Sequence, residues 1–186
     1  LSTRKIGDRT EAVAWTVYGP DGAKVASGEI PAGKETAIST AVPRPGTYVL
    51  LVNAGFNAAR LTLLNAHAAL AARRLNLIGS GGPLYFAVPA GTRQFKLSLG
   101  SDAPGETAAF VLRDGAGKEV YLGATTEVRE LTPTIEVAPD QAGQVWCLTY
   151  GAAPTGVLED VRIGIEGLPA YFSHDPSRLV QPAPGK

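Results

Sequence analysis

Apolar and polar residues alternate along most of the chain, most clearly between residues 83 and 118. Three segments there carry an apolar residue at every second position: Leu84, Phe86 and Val88, then Phe95, Leu97 and Leu99, then Ala108, Phe110 and Leu112. A period of two is typical of strands in a sheet with one buried face and one face in water. The pattern therefore predicts three successive strands.

Short Gly-containing segments separate these strands and supply the turns. Residues 89–91, 103–105 and 114–117 combine Gly with Pro or Asp, which are the residues that tight turns prefer. Strand-like alternation also occurs near both ends of the chain, in residues 11–18 and 158–166. We therefore predict an all-β fold, an antiparallel β-sandwich or jelly roll.

The distribution of these strands predicts two consecutive sandwich units. Residues 1–66 form a small β-sandwich unit in this prediction, and residues 75–172 form a larger jelly-roll-like sandwich. The Ala- and Leu-rich residues 67–74 are predicted as a connector, and the Pro-rich residues 173–186 as a tail or linker. A strand is predicted over residues 36–42. The apolar run 48–52 predicts a central strand that is buried on both faces.

Composition narrows the class of protein. The chain has 186 residues, 45% hydrophobic and 18% charged, with a formal net charge of zero. It has no basic run, which argues against nucleic-acid binding. No apolar run approaches the length of a membrane span, so we expect no membrane partner. The chain contains no Met, which indicates a domain excised from a longer protein or a processed product. The one cysteine, Cys147, is predicted to be a buried hydrophobic residue.

Catalytic motifs are sparse. His67 and His174 lie far apart, and the sequence contains no HExxH, CxxC or GxSxG motif. The carboxylates of the second unit lie in turns or at outward strand positions, and no pair of them stands out for glycoside hydrolysis. We therefore predict a protein that is not an enzyme.

Loop carboxylates suggest a structural calcium ion. Calcium takes six to eight oxygen ligands in flexible geometry, and sandwich domains often supply them from loops. The candidate ligands are Asp102, Glu106, Asp114 and Asp160.

Aromatic side chains at outward positions are the candidate ligand-binding residues. Sugar rings stack their C–H faces on Trp and Tyr, while nearby polar groups bind the hydroxyls. Tyr85 points outward if its apolar neighbours point inward, and Trp146 and Tyr150 share an outward face if Val145 is buried. Tyr171, near the C-terminus, completes the set. Trp146 has an alternative role as an anchor of the core.

The stretch YFAVPAGTRQFKLSLGSDAPGETAAFVLRDGAGKEV, with VWCLTYG and GLPAYFSHDP, resembles accessory β-sandwich domains of bacterial extracellular glycoside hydrolases. It is similar to their pre-peptidase C-terminal and galactose-binding-like jelly-roll domains over residues 75–175. The resemblance implies a secreted, non-catalytic domain that often contains calcium and sometimes binds carbohydrate. It implies no particular binding residues.

We therefore expect a carbohydrate-binding accessory module from a larger secreted bacterial carbohydrate-active enzyme, located outside the cell or at its surface. Its expected partners are a poly- or oligosaccharide and the catalytic domain of the parent polypeptide. The alternatives are a structural spacer without a ligand and a sandwich-fold enzyme that degrades polysaccharide.

Overall fold

The computed structural model describes residues 1–63 and 66–180 of the chain. Within these residues the structure consists of antiparallel sheets and a single turn of 3-10 helix, which confirms the predicted all-β fold. The chain divides into two compact units, Leu1–Leu64 and Asn65–Lys186. Residues 64 and 65 of the predicted first unit lie outside the described residues.

The first unit contains a three-stranded antiparallel sheet and a two-stranded ribbon. Its strands are β1 (Ser2–Arg4), β2 (Val13–Tyr18), β3 (Lys24–Ile30), β4 (Val49–Asn53) and β5 (Ala58–Arg60). The sheet has the order β3–β2–β4, and β1 pairs with β5 in the ribbon. Among the described residues, its buried hydrophobic side chains are Val13, Val17 and Ile30. The core of this unit is therefore small.

Strand β4 differs from its prediction. The run 48–52 was predicted as a central strand, but β4 lies at the edge of the sheet because β2 is the strand with partners on both sides. Val49 and Leu51 are each 55% exposed. The predicted strand over residues 36–42 does not form in the described structure, where the only pairing nearby is a bridge between Ser2 and Glu35.

The second unit is larger and carries eleven strands with one 3-10 turn among its described residues. These are β6 (Leu70–Ala71), β7 (Arg74–Ile78), β8 (Leu84–Val88), β9 (Gln94–Ser101), β10 (Ala109–Arg113), β11 (Glu119–Ala124), β12 (Glu130–Leu131), β13 (Thr134–Glu136), β14 (Gln144–Gly151), β15 (Asp160–Glu166), β16 (Tyr171–Phe172) and the 3-10 helix Pro176–Arg178.

The pairing of these strands is that of a jelly roll. One sheet has the order β11–β10–β14–β8, and the other has β12 and β13 beside β9, followed by β15 and β7. The strands on the two sides of the β10–β11 turn pair in antiparallel fashion, and each pair encloses the previous one along the chain. The pairs are β10 with β11, β9 with β13, β8 with β14 and β7 with β15. The second sheet has five strands, of which β12 and β13 pair with different parts of β9 on the same side. Two layers with this nesting are typical of a jelly roll.

A single hydrophobic core lies between the two sheets. The predicted inward residues of β8, β9 and β10 are all buried there, together with Val161, Ile163 and Ile165 of β15. Edge-to-face aromatic contacts connect the sheets. The ring centroids of Phe86 and Phe95 are 5.8 Å apart, and those of Phe95 and Trp146 are 5.6 Å apart.

The predicted connector and tail contain structure of their own. Within residues 67–74, β6 pairs with β16, and β7 begins at Arg74. Residues 173–180 pack against the beginning of the same unit, where the Ala68 amide donates a hydrogen bond to the Arg178 carbonyl at 3.0 Å. Leu179 is buried. The rest of the predicted tail, residues 181–186, lies outside the described residues.

Candidate functional site

A row of polar and aromatic side chains crosses the outer face of the sheet β11–β10–β14–β8. Strand register places Tyr85 opposite Cys147, Cys147 opposite Arg113, and Arg113 opposite Glu119. An isolated bridge pairs Tyr85 with Ser173 on its other side. The row Ser173–Tyr85–Cys147–Arg113–Glu119 therefore spans five segments of the chain, and below it is called the Tyr85 row.

Tyr85 and Cys147, in the middle of the row, face outward because their neighbours along each strand fill the core. Leu84 and Phe86 flank Tyr85, and Trp146 and Leu148 flank Cys147; all four are fully buried. Successive side chains of a strand point to opposite faces of the sheet. The residue between two buried neighbours is therefore held on the outer face by the core itself.

The polar groups of the row interact with one another. Arg113 Nη2 lies 3.7 Å from Glu119 Oε2, and both side chains are partly exposed. Burial raises the pKa of the Cys147 thiol, and the Arg113 charge and the Tyr85 side chain act in the opposite direction. The thiol is thus half-buried in the row and is not in the core, where the sequence had predicted it.

An apolar row lies beside the Tyr85 row on the same face. Thr149 pairs with Val111, and Val111 pairs with Leu122. Leu122 is 64% exposed. The Thr149 hydroxyl is directed to the Val111 carbonyl at 3.4 Å. This face thus combines an aromatic ring, an ion pair and exposed aliphatic surface, a composition suited to binding a ligand or a protein surface.

Tyr171 extends this face beyond β8. It precedes Ser173 by two residues and so points to the same side of its segment, while Phe172 between them is fully buried in the core. Tyr171 is 38% exposed. Tyr85 and Tyr171 therefore lie on one side of the sheet and its extension, on neighbouring segments.

Trp146 does not belong to the surface, so its prediction as an exposed ligand-binding residue is wrong. Its side chain is fully buried, and its indole Nε1 donates a hydrogen bond to the Gln141 carbonyl at 3.1 Å. It also makes an edge-to-face contact with Phe95. The error lies in the phase of β14, because the sequence pattern had placed Val145 and Cys147 inside and Trp146 outside.

Tyr150 lies on the same face of β14 as Trp146, four residues further along the strand. It pairs with Phe110, a core residue, and its half-buried ring packs against the core. Burial raises the pKa of its hydroxyl. A Cβ atom at Gly81 would overlap that hydroxyl, so the ring is covered by the backbone of residue 81. The hydroxyl end of the ring thus lies against the chain at Gly81, and the role of Tyr150 in sugar stacking stays a prediction.

Three of the four predicted calcium ligands lie at one end of the jelly roll. Asp102 Oδ1 is 2.9 Å from Arg162 Nε, and Glu106 Oε2 accepts hydrogen bonds from the amides of Asp102 and Ala103 at 3.2 and 2.9 Å. Burial raises the pKa of the Asp160 carboxyl, and the nearby charges of Glu106, Asp102 and Glu159 raise it further.

Asp114 lies at the other end of β10 and has a different role. Its Oδ1 accepts hydrogen bonds from the amides of Ala116 and Lys118 at 3.0 and 2.9 Å, and its Oδ2 accepts one from Gln141 Nε2 at 2.8 Å. It stabilises the β10–β11 turn. No group of three or more His, Cys, Asp or Glu side chains is placed to hold a metal ion in the part of the chain that the structure describes. With Arg162 paired to Asp102, these four residues do not fit the predicted calcium site.

A cleft of about 280 Å³ opens among the loops near Glu106. Its walls include Thr107, Thr125, Glu127 and Arg129. Several of its polar groups already have protein partners: the Thr107 hydroxyl donates to the Thr155 carbonyl, and the Thr125 hydroxyl accepts from the Ala108 amide at 2.9 Å. These contacts fix the loops and leave fewer groups for a ligand.

Comparison with known proteins gives this chain no relatives: no family model, no curated protein and no solved structure matches it. Among the described residues, no helix has the length and apolar character needed to cross a membrane.

Proposed function

We propose that this chain is a non-catalytic accessory module that binds polysaccharide through the outer face carrying the Tyr85 row. The observation that supports this is the register of the row, which sets an aromatic ring in line with a guanidinium and a carboxylate on an open sheet face. In this proposal the module belongs to a larger secreted bacterial carbohydrate-active enzyme and holds that enzyme's catalytic domain near its substrate.

Each member of the row has a function suited to sugar binding. The ring of Tyr85 offers an apolar surface for the C–H face of a pyranose. The guanidinium of Arg113 can donate several hydrogen bonds in one plane to sugar hydroxyls. The carboxylate of Glu119 can accept hydrogen bonds from sugar hydroxyls, so the pair can bind adjacent hydroxyls of one sugar. The two side chains lie 3.7 Å apart, so both can reach the same sugar unit.

Tyr171 supplies a second ring on the same side. Two rings on neighbouring segments favour a ligand with more than one sugar unit, since each ring stacks on a different unit of the polymer. This arrangement favours binding along a chain over the capture of a single terminal sugar.

The test is affinity electrophoresis of the whole chain against soluble plant, algal and microbial polysaccharides, followed by calorimetry with the polymer that retards it. Tyr85→Ala is expected to weaken binding about tenfold, which corresponds to the loss of one aromatic contact. Tyr171→Ala is expected to weaken it less. Tyr48→Ala is the matched control, because it removes a tyrosine of the first unit and leaves the Tyr85 row of the second unit intact.

Two results would overturn the proposal. One is a folded protein that no polymer retards, and the other is a Tyr85→Ala variant that binds as tightly as the unchanged chain. Thermal unfolding of each variant separates a lost contact from a lost fold, since Tyr85 lies on the surface of the sheet and its removal leaves the core complete.

The exposed Leu122 favours a second candidate, a structural spacer. In that role the apolar row beside Tyr85 is covered by a neighbouring domain of the same polypeptide. The spacer has no affinity for sugars, and Leu122→Lys weakens its association with the adjacent domain while Tyr85→Ala does not. The same pair of variants therefore distinguishes the two functions.

A further inference from the structure

Strand β4 of the first unit is a sheet edge without charge. Its sequence, VLLVN, contains four aliphatic residues, and residues 45–59 around it carry no Asp, Glu, Lys or Arg. One side of β4 pairs with β2, and no other strand pairs with its second side in the described structure. Such an edge is a template for another strand, because half of its backbone donors and acceptors have no partner in the sheet.

The outer strands β3, β11, β7 and β8 carry features that prevent such pairing. Strand β3 carries Lys24 and Glu29, β11 carries Glu119, and β7 carries Arg74. Strand β8 is covered at Tyr85 by the bridge to Ser173. Charged residues and covering segments are the usual protection of an edge. The absence of both at β4 therefore distinguishes it from these edges.

Two side chains of β4 are exposed on the outer face, where the register sets Val49 opposite Tyr18 and Leu51 opposite Thr16. Leu50 and Val52 share the inner face with Val17 and are half-buried, whereas Val49 and Leu51 project from the opposite face and are each 55% exposed. Aliphatic side chains that are more than half exposed on an unpaired edge strand promote association with another protein surface.

We propose that β4 pairs with β4 of a second copy of this chain, antiparallel and about a two-fold axis at Leu51. The two three-stranded sheets then form one six-stranded sheet with β4 and its copy at the centre. An antiparallel strand paired with itself is self-complementary, as a two-fold dimer requires. Because the strand is uncharged, the pairing brings no like charges together. The axis at Leu51 sets this residue opposite Leu51 of the second copy, and it sets Val49 opposite Asn53 of the second copy.

The second copy fits this edge better than an unrelated peptide. Specific recognition of a foreign strand uses pockets or charges beside the edge to select its sequence. Residues 45–59 offer no charge for such selection. A symmetric pair needs none, since each strand supplies the apolar residues that the other requires. The dimer also gives each glycan-binding unit a linked second copy, which raises the avidity for a polymer.

The test is the mass of the whole chain in solution, measured by sedimentation equilibrium over a wide range of concentration. The unchanged chain is expected to be a reversible dimer. Leu51→Lys is expected to shift the equilibrium to monomer by at least about tenfold in the dissociation constant, because it sets two like charges opposite each other at the axis. Leu122→Lys is the matched control: it changes a similarly exposed leucine in the second unit and should leave the dimer unchanged.

A second measurement tests the register. In a Cys147→Ser background, Leu51→Cys is expected to give a covalent dimer under mild oxidation, whereas Glu29→Cys on the other edge of the sheet is not. Circular dichroism confirms that each variant is folded. A monomeric unchanged chain at millimolar concentration overturns the proposal, and so does a dimer that persists in Leu51→Lys. Neither result decides whether a single copy binds sugar, which Tyr85→Ala tests by itself.

Discussion

The amides of Tyr85 and Ser173 each donate a hydrogen bond to the other residue's carbonyl, with N–O distances of 2.7 and 2.9 Å. This reciprocal pair joins the segment around β16 to the edge of the jelly-roll sheet, 88 residues away along the chain. It sets Phe172 into the core, where its ring centroid lies 5.8 Å from that of Phe86, and leaves Tyr171 on the outer face. One backbone contact therefore determines the role of two adjacent aromatic residues.

The first prediction compares those two residues. Phe172→Ala is expected to lower the free energy of unfolding by about 3–5 kcal/mol, since it removes a fully buried ring and leaves a cavity. Tyr171→Ala is expected to change it by about 0.5 kcal/mol or less, because Tyr171 is exposed. Urea unfolding of the two variants measures the difference. A loss in Phe172→Ala as small as the one expected for Tyr171→Ala would contradict the burial of Phe172.

The second prediction concerns Trp146 as a core residue. Trp146→Ala is expected to cost about 3–5 kcal/mol of unfolding free energy, and Trp146→Phe less, since Phe keeps most of the apolar volume and loses the hydrogen bond to Gln141. Thermal unfolding by near-UV circular dichroism checks both. A Trp146→Ala variant of unchanged stability would contradict the burial and would restore this residue as a candidate for sugar stacking.

The third prediction concerns the turn at Asp114. Asp114→Ala is expected to lower the free energy of unfolding by about 2–3 kcal/mol, because the buried carboxylate accepts three hydrogen bonds and its loss leaves their donors unpaired. Asp21, in a similar Asp-Gly turn of the first unit, is the control. Its Oδ1 accepts one turn hydrogen bond, from Ala23, and Asp21→Ala is expected to have the smaller effect. Chemical denaturation of the two variants decides the order.

The fourth prediction is a pH dependence due to Asp160. Its pKa is raised in the folded protein, mainly by burial and further by neighbouring carboxylates, so the folded state binds this proton more tightly than the unfolded state does. The ionised carboxylate of Asp160 therefore destabilises the folded state, and this effect is fully present above the pKa of Asp160 in the folded protein. It is relieved as the pH falls through that value towards the ordinary one of 3.8.

Asp160→Asn removes this charge permanently. At neutral pH the variant is expected to melt about 1–2 °C above the unchanged chain, and the gap should close on acidification as the unchanged chain gains its proton. Melting curves from neutral pH down to about pH 3.5 measure the gap, in a range chosen to cross the ordinary carboxyl pKa. A gap that widens towards low pH would show that the charge of Asp160 stabilises the fold.

Much of the fold follows from the sequence because strand formation is a local matter. The alternation at Leu84, Phe86 and Val88 corresponds to β8, with each of these residues buried as predicted. The turn residues Asp114 and Gly115 connect β10 and β11 as expected. Apolar period and turn chemistry act over a few residues, so the chain determines strands, turns and the all-β class by itself.

The candidate site depended on tertiary structure. A period of two separates the residues of β14 into two faces, but only the packing of the second sheet decides that Trp146 is inside and Cys147 outside. Likewise, β4 has four aliphatic residues in succession but is an edge strand, because β2 takes the central position between β3 and β4. Nothing local indicates that Arg113 stands beside Cys147, since strand register joins residues far apart in sequence. The sequence determined which residues alternate, and the long-range pairing of strands decided which of them meet and which face water.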